Sequence, residues 1–266
     1  TDPSSSPAIG GSGGDGGFGT GGEIQIVATD GAIVGLGVGR TGGGLFSSMG
    51  TGGDAGRGAD NPNTIRMPGR DGILGNADDT FQGLQGGNGG IGGGGTGGTI
   101  FLFANGGTIT SGGAPTGITV NGLSGDGGDG GVGSGGTGSC CSSYLDFGGR
   151  VLFETRNTAG GTGQITLGDT VINANGGGAG RIEMRSVGNI TMASLSAEAL
   201  GFAFPTSNNI DEASQGIFFA PVGGTISTGG DLVLRTGGSI GVYAEGSGRV
   251  NAGGNMTLEA GDQVDL

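Results

Sequence analysis

Four glycine blocks recur along the first half of the chain at nearly equal spacing. They begin at Gly13 (GGDGGFGTGGE), Gly52 (GGDAGRGAD), Gly89 (GGIGGGGTGGT) and Gly127 (GGDGGVGSGGT), so successive starts are 39, 37 and 38 residues apart. A chain with 75 glycines in 266 residues cannot be collagen, because it has no Gly-X-Y period and only seven prolines. Disorder is the next reading of such a composition. Against it, 32% of the residues are hydrophobic, and they cluster in short β-branched runs that can bury a core. If the blocks are ordered, their GGx triplets suit an extended helix with three residues per turn. Two glycine faces then pack against neighbouring segments and x faces outward. The other reading is a set of mobile loops; the common length of the blocks favours order.

Between and after the blocks come short alternating runs. They are EIQIVA at 23–28, TIFLFA at 99–104, RVLFE at 150–154, RIEMR at 181–185, DLVLR at 231–235 and NMTLE at 255–259. Each places its apolar side chains on one face of a strand. No window carries a convincing helical period; MASLSAEALG at 192–201 comes nearest. Glycine pairs precede many of these runs, and Asp231 and Asn255 occupy equivalent positions 24 residues apart. That interval is one turn of a coil of two or three short strands. Glycine at the corners allows positive φ and close backbone approach. One coil cannot bury its own apolar face, whereas a stack of coils buries a continuous one. The expected fold is all-β: a parallel β-helix, or β-solenoid, with glycine-rich, polyglycine-II-like insertions. Residues 1–138 form the glycine-block region and 139–266 the β-solenoid coils, as one continuous solenoid.

The charge balance narrows the partners. All ten basic residues are arginine, against 23 Asp and Glu, for a net charge of −13. Such a chain repels nucleic acid. With no histidine, Ser-His-Asp chemistry and His-ligated zinc are excluded within the chain. No run approaches the length of a membrane-spanning helix. Beginning at Thr1, the chain reads as a processed or partial product.

The most site-like stretch is GRDGILGNADDT at 69–80. Asp71, Asn76, Asp78 and Asp79 offer oxygen ligands among turn-forming glycines, which suits a structural calcium ion, although the spacing is not that of an EF-hand. The other reading is a solvated acidic turn. As catalytic carboxylates Asp78 and Asp79 fail, since adjacent strand residues point to opposite faces and the arginines are scattered. Cys140 and Cys141 are the only cysteines. Their Cα atoms lie about 3.8 Å apart, below the roughly 4.4–6.8 Å of ordinary disulfides. They are therefore candidates for inter-chain disulfides, with two buried thiols as the alternative. Threonine ranks on a flat solenoid face can bind ice, but the threonines do not fall at one fixed coil position in the sequence.

The stretch GGTISTGGDLVLRTGGSIGVYAEGSGRVNAGGNMTLEAGDQVDL at 223–266 resembles the repeats of filamentous haemagglutinin-like exoproteins. GGTIFLFANGGTITSGG at 97–113 is similar to glycine-rich β-helical surface proteins of bacteria. The GGx blocks are similar to glycine repeats of mycobacterial surfaces, although GGA triplets are scarce, and the DG-x-x-G-x-x-DD run at 71–79 resembles stretches of secreted bacterial repeat proteins. The resemblance implies a secreted or cell-surface location, and the missing catalytic groups point to a non-enzymatic role. The expected function is that of a fibre or filament subunit, self-associating by end-to-end stacking beyond the uncapped AGDQVDL. The alternative is an adhesin segment that binds a surface glycan or host ligand.

Overall fold

The computed structural model describes residues 11–36, 44–62, 64–68, 70, 74–75, 79–123, 129, 131–133, 136–137, 147–201 and 215–266. Among them there is no helix, and most strands pair in parallel. The expected Asp71, Asn76, Asp78, Cys140 and Cys141 lie outside the described residues. Two compact units divide the chain. One gathers Thr1–Gly19, Gly52–Gly94 and Ser124–Tyr144; the other gathers Thr20–Thr51, Gly95–Leu123 and Leu145–Leu266.

The first unit is built from the glycine blocks, and its hydrogen bonds step by three residues. Amides of Gly13, Gly16 and Gly19 donate to the carbonyls of Asn88, Ile91 and Gly94 at 2.8, 2.8 and 3.1 Å. In the opposite sense, Gly53, Gly56 and Ala59 donate to Gly17, Gly14 and Gly11, each at 2.8 Å. Gly87, Gly90 and Gly93 donate in turn to Ala59, Gly56 and Gly53 at 2.9, 2.9 and 2.8 Å. A β ladder would use alternate residues on one edge; a step of three is the repeat of an extended threefold helix. Each turn then offers its amide to one neighbour, and glycine keeps that neighbour's backbone within reach. Among the described residues the block 86–95 is the most enclosed, with Asn88 exposed and Ile91 half-buried. A short antiparallel hairpin, Thr64–Met67 with Thr80–Gly83, belongs to the same unit.

The second unit contains two large sheets. In the seven-stranded sheet the order is Glu23–Thr29, Thr99–Asn105, Arg150–Arg156, Arg181–Ser186, Gly216–Pro221, Ser239–Val242 and Val264–Asp265, all parallel. The alternating runs therefore stack in register. Ile100, Val151, Ile182, Ile217 and Ile240 form one fully buried column, and Leu102, Phe153, Met184 and Phe219 the next. The ten-stranded sheet runs from Ile33–Gly35 through Thr108–Thr110, Gln164–Asn173, Asn189–Ala199 and Thr225–Thr228 to Arg249–Ala252. Its two long strands also carry Thr116–Thr119 and Leu232–Thr236 on their second halves. Residues 192–199, the nearest approach to a helical pattern, lie in strand Asn189–Ala199, which alternates buried and more open positions.

Glycine pairs precede these strands because successive layers touch there through backbone. A Cβ on Gly98 would meet the Gly22 carbonyl oxygen at 2.0 Å, and one on Gly149 the Gly98 oxygen at 2.1 Å. Asn121 and Asn175 extend the layer-to-layer bonding where the chain turns. Asn121 Oδ1 accepts the Asn175 amide at 2.8 Å, and Asn175 Oδ1 accepts the Leu200 amide at 2.7 Å. Asn121→Ala strips the Asn175 amide of its side-chain acceptor. The expected cost is about 1–2 kcal/mol, read as a melting temperature lowered by a few degrees in calorimetry. An unchanged melting temperature would show that this ladder contributes nothing.

Candidate functional site

Alternation fixes which side chains the seven-stranded sheet turns away from its core. Val151 and Phe153 point inward, so Arg150, Leu152 and Glu154 lie on the opposite face; by the same rule Arg181, Glu183 and Arg185 lie there beside them. Pairing puts Phe101 and Phe103 on one flank of this group and Phe218 on the other. Register thus collects four of the ten arginines, counting Arg156, onto two adjacent strands.

Glu183 is the hub. Its side chain is almost wholly buried, at 4% exposed. Oε2 accepts hydrogen bonds from Arg150 Nη2 at 3.0 Å and Arg181 Nε at 3.2 Å, and Oε1 accepts one from Arg185 Nε. Burial alone would raise its pKa, but the Arg181 charge and the three arginine hydrogen bonds outweigh it and hold the carboxyl below its ordinary value. A carboxylate bound in this way stays ionised at neutral pH and is a poor proton donor. Glu154, also buried, pairs with Arg156. The rings complete the surface. Phe101 and Phe103 stack with centroids 5.4 Å apart, Arg181 lies 4.7 Å from the Phe218 centroid, and Arg150 lies 5.9 Å from that of Phe101. On these two strands four guanidinium groups meet two carboxylates, next to apolar rings, while Glu23 and Asp265 occupy the same face on the outermost strands of the sheet.

The ten-stranded sheet presents a different outer face. Its fully buried column is Ile109, Ile165, Ile190 and Ile226. On either side of each isoleucine stands an outward polar residue. One column reads Thr108, Gln164, Asn189 and Thr225; the other reads Thr110, Thr166, Thr191 and Ser227. The expectation that threonines do not share a coil position is corrected here. Loops of unequal length hide the repeat in the sequence, and strand register restores it. The next strand ends the run with Arg249 and Asn251.

Of the calcium candidates only Asp79 is described. Its Oδ2 accepts Arg66 Nε at 2.6 Å and the Gly75 amide at 2.7 Å, and its side chain is buried. Asp79 thus ties its loop to the hairpin. Among the described residues no group of three or more His, Cys, Asp or Glu side chains could hold a metal ion. No helix among them is long and apolar enough to cross a membrane. The sequence reading missed the arginine–glutamate cluster; the alternation of RVLFE and RIEMR was visible, but not their mutual register. No protein-family model, curated protein or solved structure matches the chain.

Proposed function

We propose that the chain is an extracellular structural protein of the cell surface, folded as a parallel β-helix and acting as a subunit of a fibre or filament that grows by end-to-end stacking. The carrying observation is the run of parallel strands in register, seven of them from Glu23–Thr29 to Val264–Asp265, with buried columns continuous from strand to strand. A repeat of this kind accepts another strand of the same spacing, and a head-to-tail contact that does not close grows into a filament. The glycine unit supports the same reading, because backbone packed against backbone is dense and stiff. Sedimentation of the purified chain over a wide concentration range is expected to show growing assemblies, and particle imaging to show long filaments. A monomer at every concentration overturns the proposal.

The second reading is an adhesin segment that binds a surface glycan or host ligand. It is favoured by the guanidinium groups beside Phe101, Phe103 and Phe218, which suit an anionic ligand with an apolar face. Isolated rods in the same images favour this reading over the filament.

A further inference from the structure

We propose that the polar grid on the outer face of the ten-stranded sheet, at 108–110, 164–166, 189–191 and 225–227, is an ice-binding surface. This inference is independent of the filament reading and of the arginine–phenylalanine face. Its basis is a two-column grid of small polar side chains on consecutive strands. Thr110, Thr166, Thr191 and Ser227 occupy one register position. A second column of Thr, Gln, Asn and Thr stands two residues earlier on each strand. The grid repeats at about 4.7–4.9 Å across strands and about 6.6–6.8 Å along them.

Three features separate this face from ordinary polar surface. First, the grid is neutral. The chain is 12% charged with a net charge of −13, yet no charge enters either column until Arg249 on the fifth strand, and the sheet's other charges, Asp169, Glu198, Arg235 and Glu259, stand on the second halves of the strands, outside the grid. Charged groups orient their own hydration shells and disrupt ordered water, whereas hydroxyls and amides can join a water lattice as both donors and acceptors. Second, it is stiff. Each pair of polar residues flanks an isoleucine that is at most 1% exposed, and threonine has restricted rotation at χ1. The hydroxyls also sit close enough to act together: Ser227 Oγ lies 3.5 Å from Thr191 Oγ1. Third, neither column contains an aromatic ring. A face that bound crystalline polysaccharide would be expected to offer stacking surfaces. A rigid, uncharged grid of hydroxyl and methyl groups instead fits a solid made of water.

The test is ice-affinity partition of the full chain: the fraction taken up by slowly growing ice, measured against serum albumin, together with inhibition of ice recrystallisation. The double variant Thr166→Lys with Thr191→Lys places two charges at the centre of the grid. Thr29→Lys with Asn105→Lys adds the same two charges to exposed positions on the other sheet. Circular dichroism confirms that both remain folded. The wild type and the Thr29/Asn105 variant are expected to enter ice and slow recrystallisation, and the Thr166/Thr191 variant to fall to the albumin level. Three results overturn the proposal: wild type excluded from ice like albumin; equal uptake by the Thr166/Thr191 variant; or retention on microcrystalline cellulose or chitin without uptake into ice.

Discussion

Replacing Gly90 with alanine is expected to abolish the ordered packing of the glycine blocks. A Cβ at that position would stand 2.1 Å from the Gly14 carbonyl oxygen and 2.5 Å from its carbon, with the Asp15 nitrogen at 3.1 Å. All three are backbone atoms, so no side chain can rotate out of the way. Nor can the Gly90 segment withdraw freely, because its amide donates to Gly56 at 2.9 Å while Gly87 and Gly93 hold the same neighbour through Ala59 and Gly53. Overpacking that only displaces side chains costs typically about 1–3 kcal/mol; here a whole segment must move, and several hydrogen bonds go with it. Gly14→Ala is the matched control. A Cβ there has nothing within 4 Å, and its reduced freedom in the unfolded chain is expected to leave stability unchanged or raise it by about 0.4–1 kcal/mol. Amide hydrogen exchange reads the difference. The amides at positions 87, 90 and 93 should exchange slowly in the wild type and in Gly14→Ala, and rapidly in Gly90→Ala. Slow exchange in Gly90→Ala would mean that the blocks do not interlock as described.

That contrast also marks what the sequence discloses. The spacing of the blocks and their GGx period are visible in the string, and so is the alternation that makes RVLFE and RIEMR strands. Which of two neighbouring glycines is indispensable is not visible, since Gly14 and Gly90 read alike and differ only in what lies against them. Register is hidden for a related reason. Thr110, Thr166, Thr191 and Ser227 share one position across the sheet, yet they are separated by 56, 25 and 36 residues. The segments between strands differ in length because some enter the glycine unit and others merely turn. No fixed period can survive that. Arg150 and Arg181 meet for the same reason, and a list of ten scattered arginines gave no sign of the four that gather on one face. A linear reading also cannot show that one compact unit is assembled from three separated segments. Local chemistry is legible wherever it depends on neighbours in sequence, and it fades where a partner arrives from another layer.

The arginine cluster yields the second large effect. Glu183→Ala leaves the guanidinium groups of Arg150, Arg181 and Arg185 facing one another across a buried gap. Removing one partner of a fully buried ion pair costs about 3–5 kcal/mol. These arginines are 40%, 15% and 38% exposed, so water takes up part of the deficit, and about 2–3 kcal/mol is the expected loss once that screening is counted. Glu183→Gln keeps the volume and a carbonyl acceptor but removes the charge, and it isolates the electrostatic part. The pH dependence follows from the direction of the carboxyl's shift. Its folded value lies below the ordinary 4.5, so the unfolded chain takes up the proton first as pH falls. The stabilisation is therefore fully present above that ordinary value and is lost as pH drops through the folded one. Melting curves of wild type and Glu183→Gln should stand furthest apart at neutral pH and converge in acid. Added salt should narrow the gap only slightly, because a buried carboxylate is weakly screened. A gap that stays constant from neutral pH into acid would trace the loss to packing, and the network on this face would then be a consequence of the fold and not one of its supports.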